Sequence, residues 1–188
     1  MQKFKVKING RSPYMQHRMD DQKLDQWEKD RGSIIENLDV NKEDEKRALY
    51  HSYINMNGEF YIPSDHFKQC FLNGSKSVKG KVGTSTKSMK QVVAGQWFIS
   101  PFQIPFRRFD EVDSRSAVNR NIKARVMVKR PKWNNWNCEF VLEIDNDTLT
   151  IETIRSIMYQ GGSFVGVGSY RPEHSGEFGR FDFEVEKI

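Results

Sequence analysis

The chain has 188 residues, 37% hydrophobic and 29% charged, with a formal net charge of +5. That length suits one folded domain spanning 1–188 with a core of its own. No apolar run nears the roughly 20 residues that cross a bilayer, and MQKFKVKING lacks a signal-peptide stretch, so neither membrane insertion nor export is expected and the setting is read as cytoplasmic.

Lys3 to Ile8 alternates lysine with Phe4, Val6 and Ile8, which predicts a strand with one face in water. Asp20 to Tyr50 reads as an acidic, partly helical insertion (20–50) with Leu24, Trp27, Ala48 and Leu49 inward and Gly32-Ser33 as a break. Residues 51–54 and 59–62 flank Asn57-Gly58, a two-residue hairpin signal. Pro63-Ser64-Asp65 opens a helix capped by Ser64 or Asp65, burying Phe67, Cys70, Phe71 and Leu72 and stopping at Asn73-Gly74. Ser75 to Ser88 lacks periodicity and is expected to be an ordered loop only when a ligand or a neighbouring subunit holds it. Val92 to Ile104 has strand composition, broken by Pro101 and Pro105.

Arg107 to Asn121 reads as a second, irregular basic loop. Lys123 to Val128 and Glu139 to Ile144 alternate and predict a long hairpin whose tip carries Trp133 and Trp136. Thr148 to Tyr159 is amphipathic, with Leu149, Ile151, Ile154, Ile157 and Met158 apolar. The glycine-rich stretch Gly161 to Gly179 precedes a closing strand, Phe181 to Val185. The order strand, helix, strand, strand, helix, strand is the α+β, ferredoxin-like (RNA-recognition-motif-like) βαββαβ arrangement with an antiparallel sheet. Its helices cover one face and leave the other open, the face on which RNA-recognition domains stack bases.

Charge is segregated. Acids predominate from Asp20 to Arg47, whereas two stretches, 75–91 and 114–133, contain no acid. The first carries Lys76, Lys79, Lys81, Lys87 and Lys90; the second carries Arg115, Arg120, Lys123, Arg125, Lys129, Arg130 and Lys132, preceded by Arg107 and Arg108 in the loop 107–121. Such patterning is the footprint of a polyanion, although two solvated basic loops would look the same. Trp133, Trp136 and Tyr170 are candidate base-stacking residues and Arg171 a further phosphate donor. The glycines would let a ligand backbone approach; the plainer reading is a turn whose aromatics Phe164, Phe181 and Phe183 face the core.

Two features resemble the RAMP superfamily, the repeat-associated proteins that include the CRISPR backbone and processing subunits. One is GEFYIPSDHFKQCFL, Gly58 to Leu72, which looks like the family's strand followed by "IP-G-S-x-x-K-x" and a helix. The other is the glycine-rich loop before the last strand. The resemblance implies that Phe60 to Leu72 form an edge strand and first helix, that Lys68 is the family's helix lysine, and that Ser75 to Gln91 contacts nucleic acid. Asp65 departs from the glycine or serine common in the family, and the insertion 20–50 has no counterpart. These departures speak against membership of a CRISPR complex and for a stand-alone relative; a phage origin is a guess that no residue carries.

Catalytic signals are thin. His17, His51, His66 and His174 are too scattered for a metal site, and Cys70 and Cys138 lack close partners, so no metal is expected and the cysteines read as buried free thiols. Gly166-Val-Gly168 has no third glycine, no Walker loop occurs, and Ser163 and Ser169 lack a hydrolase elbow, so no cofactor is expected. The sequence therefore points first to a non-catalytic protein binding single-stranded RNA or DNA, RNA slightly favoured, as a homo-oligomer or a subunit of a nucleoprotein assembly in which one copy's acidic region meets the next copy's basic surface. Two alternatives stay open. One is a metal-independent RNA endonuclease with His17 as general base beside Arg18 or Arg11; the other is a protein-interaction module, such as an inhibitor of a nucleic-acid enzyme with the acidic region as decoy.

Overall fold

A computed structural model describes residues 1–18, 26–38, 42–82, 85–119 and 124–188. Leu24, the Trp27 side chain, Arg120 and Lys123 lie outside the described residues. In chain order the elements are β1 (Gln2–Gly10), β2 (Tyr14–Met15), α1 (Gln26–Asn37), α2 (Glu43–Tyr50), β3 (Tyr61–Pro63), α3 (Ser64–Gly74), β4 (Lys79–Val82), β5 (Ser85–Ser88), α4 (Lys90–Gln96) and β6 (Trp97–Ser100). There follow β7 (Gln103–Pro105), β8 (Glu111–Asn119), β9 (Ala124–Trp133), β10 (Asn137–Ile144), α5 (Ile151–Gln160), a π turn (Gly161–Val165), a 3₁₀ turn (Pro172–His174) and β11 (Phe181–Lys187).

Where the sequence suggested one domain with an insertion, the chain forms two compact units. The first comprises Met1–Tyr14, Ile62–Ile104 and Asn135–Ile188; the second comprises Met15–Tyr61 and Pro105–Asn134.

The first unit contains the ferredoxin-like core. Its four-stranded sheet has the order β11-β1-β10-β6, with β1 antiparallel to β10 and β11, and β10 antiparallel to β6. Alternation sets the two faces. Phe4, Val6, Ile8, Phe140, Leu142, Ile144, Trp97 and Ile99 are buried beside Phe67 and Phe71 of α3 and Ile154, Ile157 and Met158 of α5. Phe67 lies 5.0 Å from Phe140 and 5.7 Å from Phe181, ring centre to ring centre. Thr150 caps α5 by accepting from the Thr153 N–H, so that helix starts later than its apolar pattern suggested. Helix α3 has Pro63 at its cap with no side-chain bond; the Ser64 N–H is satisfied by the Phe102 carbonyl instead, so neither Ser64 nor Asp65 caps it.

The open sheet face is not a stacking platform. Lys3, Lys5 and Lys7 face Glu143, Glu139, Glu184 and Glu186 in register, with Lys3–Glu143 at 2.7 Å and Lys5–Glu139 at 3.0 Å. The only exposed aromatic among its described outward residues is Phe98, on the edge strand.

The second unit has its own small core of Ile35, Leu49 and Ile54, with Ile34, Leu38, Tyr50, Phe60 and Phe109 packed on it. Gly32-Ser33 does not interrupt α1, because a mid-helix glycine costs only about 1 kcal/mol and Ile34 and Ile35 gain more by packing. The expected hairpin at 51–62 is present but short: Ile54 bridges Phe60, the Asn55 N–H donates to the Glu59 carbonyl and the Tyr61 N–H to the Tyr53 carbonyl, and the Asn55 side chain closes the turn by accepting from the N–H groups of Asn57 and Glu59. The second basic stretch is no irregular loop. β8 and β9 pair in register from Glu111↔Lys132 to Asn119↔Ala124, so the strand beginning near Lys123 is partnered by residues 111–119 and not by 139–144.

Candidate nucleic-acid interface

The strongest cationic feature belongs to the first unit. Helix α3 ends at Gly74, where an added Cβ would lie 2.6 Å from the Gly161 backbone N, so glycine is what allows this close approach. The chain tightens through Ser75, whose N–H reaches the Phe71 carbonyl and whose hydroxyl reaches the Leu72 carbonyl, satisfying the helix end. It then rises into a two-stranded ribbon with Lys79↔Ser88, Gly80↔Lys87 and Lys81↔Thr86 opposed. The root is anchored by buried Met89, which donates its N–H to the Val78 carbonyl and would meet a Cβ on Gly80 at 2.9 Å. The segment thus contains a regular two-stranded ribbon despite its aperiodic sequence, because the ladder and Met89 supply what side-chain patterning does not.

Alternation places Lys79 and Lys81 on one face, roughly 7 Å apart, and Lys87 on the other. Lys76, Lys79, Lys81, Lys87 and Lys90 are all exposed, and among the described residues none of them makes an ion pair. Three uncompensated ammonium groups on a short ribbon, with Lys76 before it and Lys90 after it, form a field suited to a phosphate backbone.

The arginine-rich ribbon of the second unit is built differently. Arg107 pairs with Asp110, Arg108 with Glu45 at 3.5 Å, Arg115 with Asp113 at 2.8 Å, Lys129 with Asp44 at 2.8 Å and Lys132 with Glu111 at 2.7 Å. Arg130 is buried and donates from Nε to Nδ1 of His17 at 3.0 Å. Arg125 is exposed near the ribbon's tip and joins none of these pairs. Asp44 and Glu45 of the acidic region therefore pair with the basic stretch of their own chain, while Asp20, Asp21, Asp39 and the side chains of Glu28 and Asp30 lie outside the described residues.

Both tryptophans are core residues. Trp133 donates Nε1–H to the Arg107 carbonyl at 2.9 Å and packs on Phe106 and Phe109. Trp136 donates to the Ser12 carbonyl at 2.8 Å and fills the space above Gly10, where a Cβ would fall 2.2 Å from the indole nitrogen. Neither can stack on a base. A long interstrand tip would have exposed them; instead Trp133 ends β9 against its own unit's aromatics, and Asn137 starts a different sheet.

The glycine-rich loop also serves packing. A Cβ on Gly162 would meet the Phe181 carbonyl at 2.4 Å, and one on Gly179 the Val167 carbonyl at 1.8 Å. These are contacts within the protein, not space left for a ligand. Tyr170 is half-buried in the left-handed region at φ 55°, and Arg171 is tied to Glu173 at 2.9 Å and to the Gly168 carbonyl at 3.1 Å. Of the loop's aromatics, Phe181 is buried and Phe164 is exposed.

His17 stacks on His51 with ring centres 4.7 Å apart. Partial desolvation, then Arg130, then His51 pull its pKa down to about 4. Since a guanidinium only donates, Nδ1 of His17 must accept, and the neutral ring carries its proton on Nε2. His66 is likewise lowered to about 4, chiefly by burial and next by Arg171. Lys68 points its ammonium at the Val93 and Trp97 carbonyls, tying α3 to α4 and the edge strand, with its pKa lowered by burial. Cys70 and Cys138 are buried free thiols, and burial pushes Cys138 up to about 12. Among the described residues no three His, Cys, Asp or Glu side chains are grouped to hold a metal ion, and no helix is long and apolar enough to cross a membrane.

Fold and site together define an α+β, ferredoxin-like protein that presents an uncompensated lysine ribbon. A chain in the cryo-EM structure of the Type III-B Cmr-beta bound to cognate target RNA shares this fold with a TM-score of 0.58 and 12% sequence identity, matched over 100% of the present chain and 60% of that chain. The protein thus spans 60% of that neighbour's length. No protein-family model and no curated protein matches its sequence.

Proposed function

We propose that the protein is a non-catalytic, sequence-tolerant binder of single-stranded nucleic acid, RNA in preference to DNA, related to the RAMP superfamily and working within a nucleoprotein assembly. The observation that carries this reading is the segment of Lys76, Lys79, Lys81 and Lys87, exposed and without ion pairs among the described residues, while Arg107, Arg108, Arg115, Lys129 and Lys132 of the second basic region are paired with acids. Its fold is that of a chain found with target RNA, which favours RNA as the ligand. Phosphates lie along the lysine ribbon, with Lys90, Arg125 and Arg171 as secondary contacts.

Fluorescence anisotropy with labelled single-stranded RNA, single-stranded DNA and duplex DNA across a salt series tests it. Single strands should bind best. A Lys76/Lys79/Lys81→Ala protein should bind more weakly with a flatter salt dependence. Absence of binding near physiological salt would sink the proposal. Assembly along a strand predicts growth in light scattering when oligonucleotide is added; a monomer in both conditions removes that part.

The endonuclease reading has the geometry of His17 against it. Its Nδ1 is occupied by Arg130 and its Nε2 holds the proton, which leaves no lone pair for a ribose hydroxyl. Metal-free incubation with hairpin RNA is therefore expected to yield no 2′,3′-cyclic phosphate ends. The decoy reading is weakened in the same way, because Asp44, Glu45 and Glu43 are engaged by Lys129, Arg108 and Arg47.

A further inference from the structure

Two large aromatic side chains stand exposed at the end of α5: Tyr159 at 53% and Phe164 at 58% of full accessibility. They form an edge-to-face pair, ring centres 6.0 Å apart and planes at 80°. The π turn brings them together. In an α-helix neighbours on one face are three or four residues apart, whereas a turn closed by the Gly166 N–H on the Gly161 carbonyl sets residues five apart on one side.

That turn is fixed from below. Gly161 and Gly162 are buried, and a Cβ on either would press into Phe71 and Cys70 or into the Phe181 carbonyl. The exposed rings therefore sit on a rigid support. Burying them inward was open to the sequence, since Phe181 takes that role close by; leaving two rings in water calls for a partner.

The same turn touches the segment that leads into the lysine ribbon. Gly74 lies against Gly161, and Ser77 donates its hydroxyl to Oε1 of Gln160 at 3.3 Å. Gln160 follows Tyr159, and Ser77 follows Lys76, so the aromatic pair and the first lysine are joined through one hydrogen bond. Arg155, exposed one turn before Tyr159, adds a cation on the same helix face.

We propose that Tyr159 and Phe164 form a stacking site for an unpaired nucleobase whose flanking phosphates lie on Lys76 and Lys79. This rests on the nucleic-acid reading above and adds the residues that hold a base. An edge-to-face pair leaves one ring face uncovered for a planar ligand, and stacking tolerates any base because every base has a π face.

The test uses the full chain, a labelled oligouridylate RNA and the same RNA with abasic residues, in a salt series. Wild type should bind the abasic RNA about tenfold more weakly. Tyr159→Ala/Phe164→Ala should lose about the same factor on intact RNA, keep the wild-type salt slope, and no longer distinguish the two RNAs. Phe164→Trp should retain binding. A Lys76/Lys79/Lys81→Ala protein should show a flatter slope yet still discriminate against the abasic RNA. Equal binding of both RNAs by wild type, or abasic discrimination that survives in the aromatic variant, overturns the stacking site and leaves the phosphate track standing. No RNA binding by wild type at any salt takes down both.

Discussion

The lysine segment 75–91 and the arginine-rich stretch 114–133, which supplies most of the ribbon of β8 and β9, have the same kind of sequence, acid-free and basic, and opposite surroundings. Around the lysines the neighbours are serine, threonine and glycine, and no carboxylate pairs with them. Around the arginines, acids arrive from nearby in sequence, Asp110, Glu111 and Asp113, and from far away, Asp44 and Glu45 on α2. A surface ion pair contributes at most about 1 kcal/mol to stability, but it cancels the field that would draw in a phosphate. Charge density along a chain thus counts as a binding site only after the fold has assigned each charge a partner or none.

The largest expected effect separates core from surface on the arginine side. Trp133→Ala removes a buried ring packed on Phe106 and Phe109 and leaves the Arg107 carbonyl without its donor, so it should cost about 3–5 kcal/mol of stability. Denaturant melts should move strongly, while any protein that remains folded should keep its RNA affinity. A stable Trp133→Ala protein with lost binding would mean that the indole reaches the ligand.

Next comes the lysine side. Lys76/Lys79/Lys81→Ala should lower affinity for single-stranded RNA about 10- to 100-fold and reduce the salt slope by about 2, with unchanged stability. Arg108→Ala and Arg115→Ala together should do much less, since each guanidinium already has a carboxylate. Equal losses from the two sets of substitutions would erase the distinction between the ribbons.

Much of the fold was legible because it rests on local periodicity. The alternation of Lys3 to Ile8, the stripe of Phe67, Cys70 and Phe71, and the apolar set Ile154, Ile157 and Met158 each announce an element and its buried face, and the βαββαβ order follows. The misses involve pairing across long separations. Nothing in residues 111–119 says that they pair with 124–132, and no local signal says that Asp44 reaches Lys129. Trp133 and Trp136 were misplaced for the same reason: a tryptophan between two strands is exposed if they form one hairpin and buried if they belong to different sheets. Tyr159 and Phe164 carried no signal as a pair, because five-residue spacing has meaning only once the π turn exists.

A smaller effect sharpens the comparison from the other direction. Asp44→Asn/Glu45→Gln keeps the shape of α2 and releases Lys129 and Arg108 from their carboxylates. If internal pairing is what silences the arginine ribbon, affinity for RNA should rise by about two- to fivefold and the salt slope should steepen by about 1. Unchanged affinity would assign the silence to geometry, not to charge.

The smallest effect is on stability against pH, and both units contribute. His17 in the second unit and His66 in the first have folded-state pKa values near 4 against an ordinary 6.5. The unfolded chain therefore binds more protons between those values, and stability falls as pH drops from about 6.5 toward 4, then levels off. Above pH 6.5 this contribution is fully present. His66 is the more deeply buried, so His66→Gln should flatten the acid limb of the unfolding profile more than His17→Gln does. His17 keeps part of its ring in water, and solvent weakens the push from Arg130, which is why a basic residue can sit there at little cost. Should His17→Gln flatten the profile more, Arg130 would be the dominant influence, and the charge in the arginine ribbon would be less well compensated than its ion pairs imply.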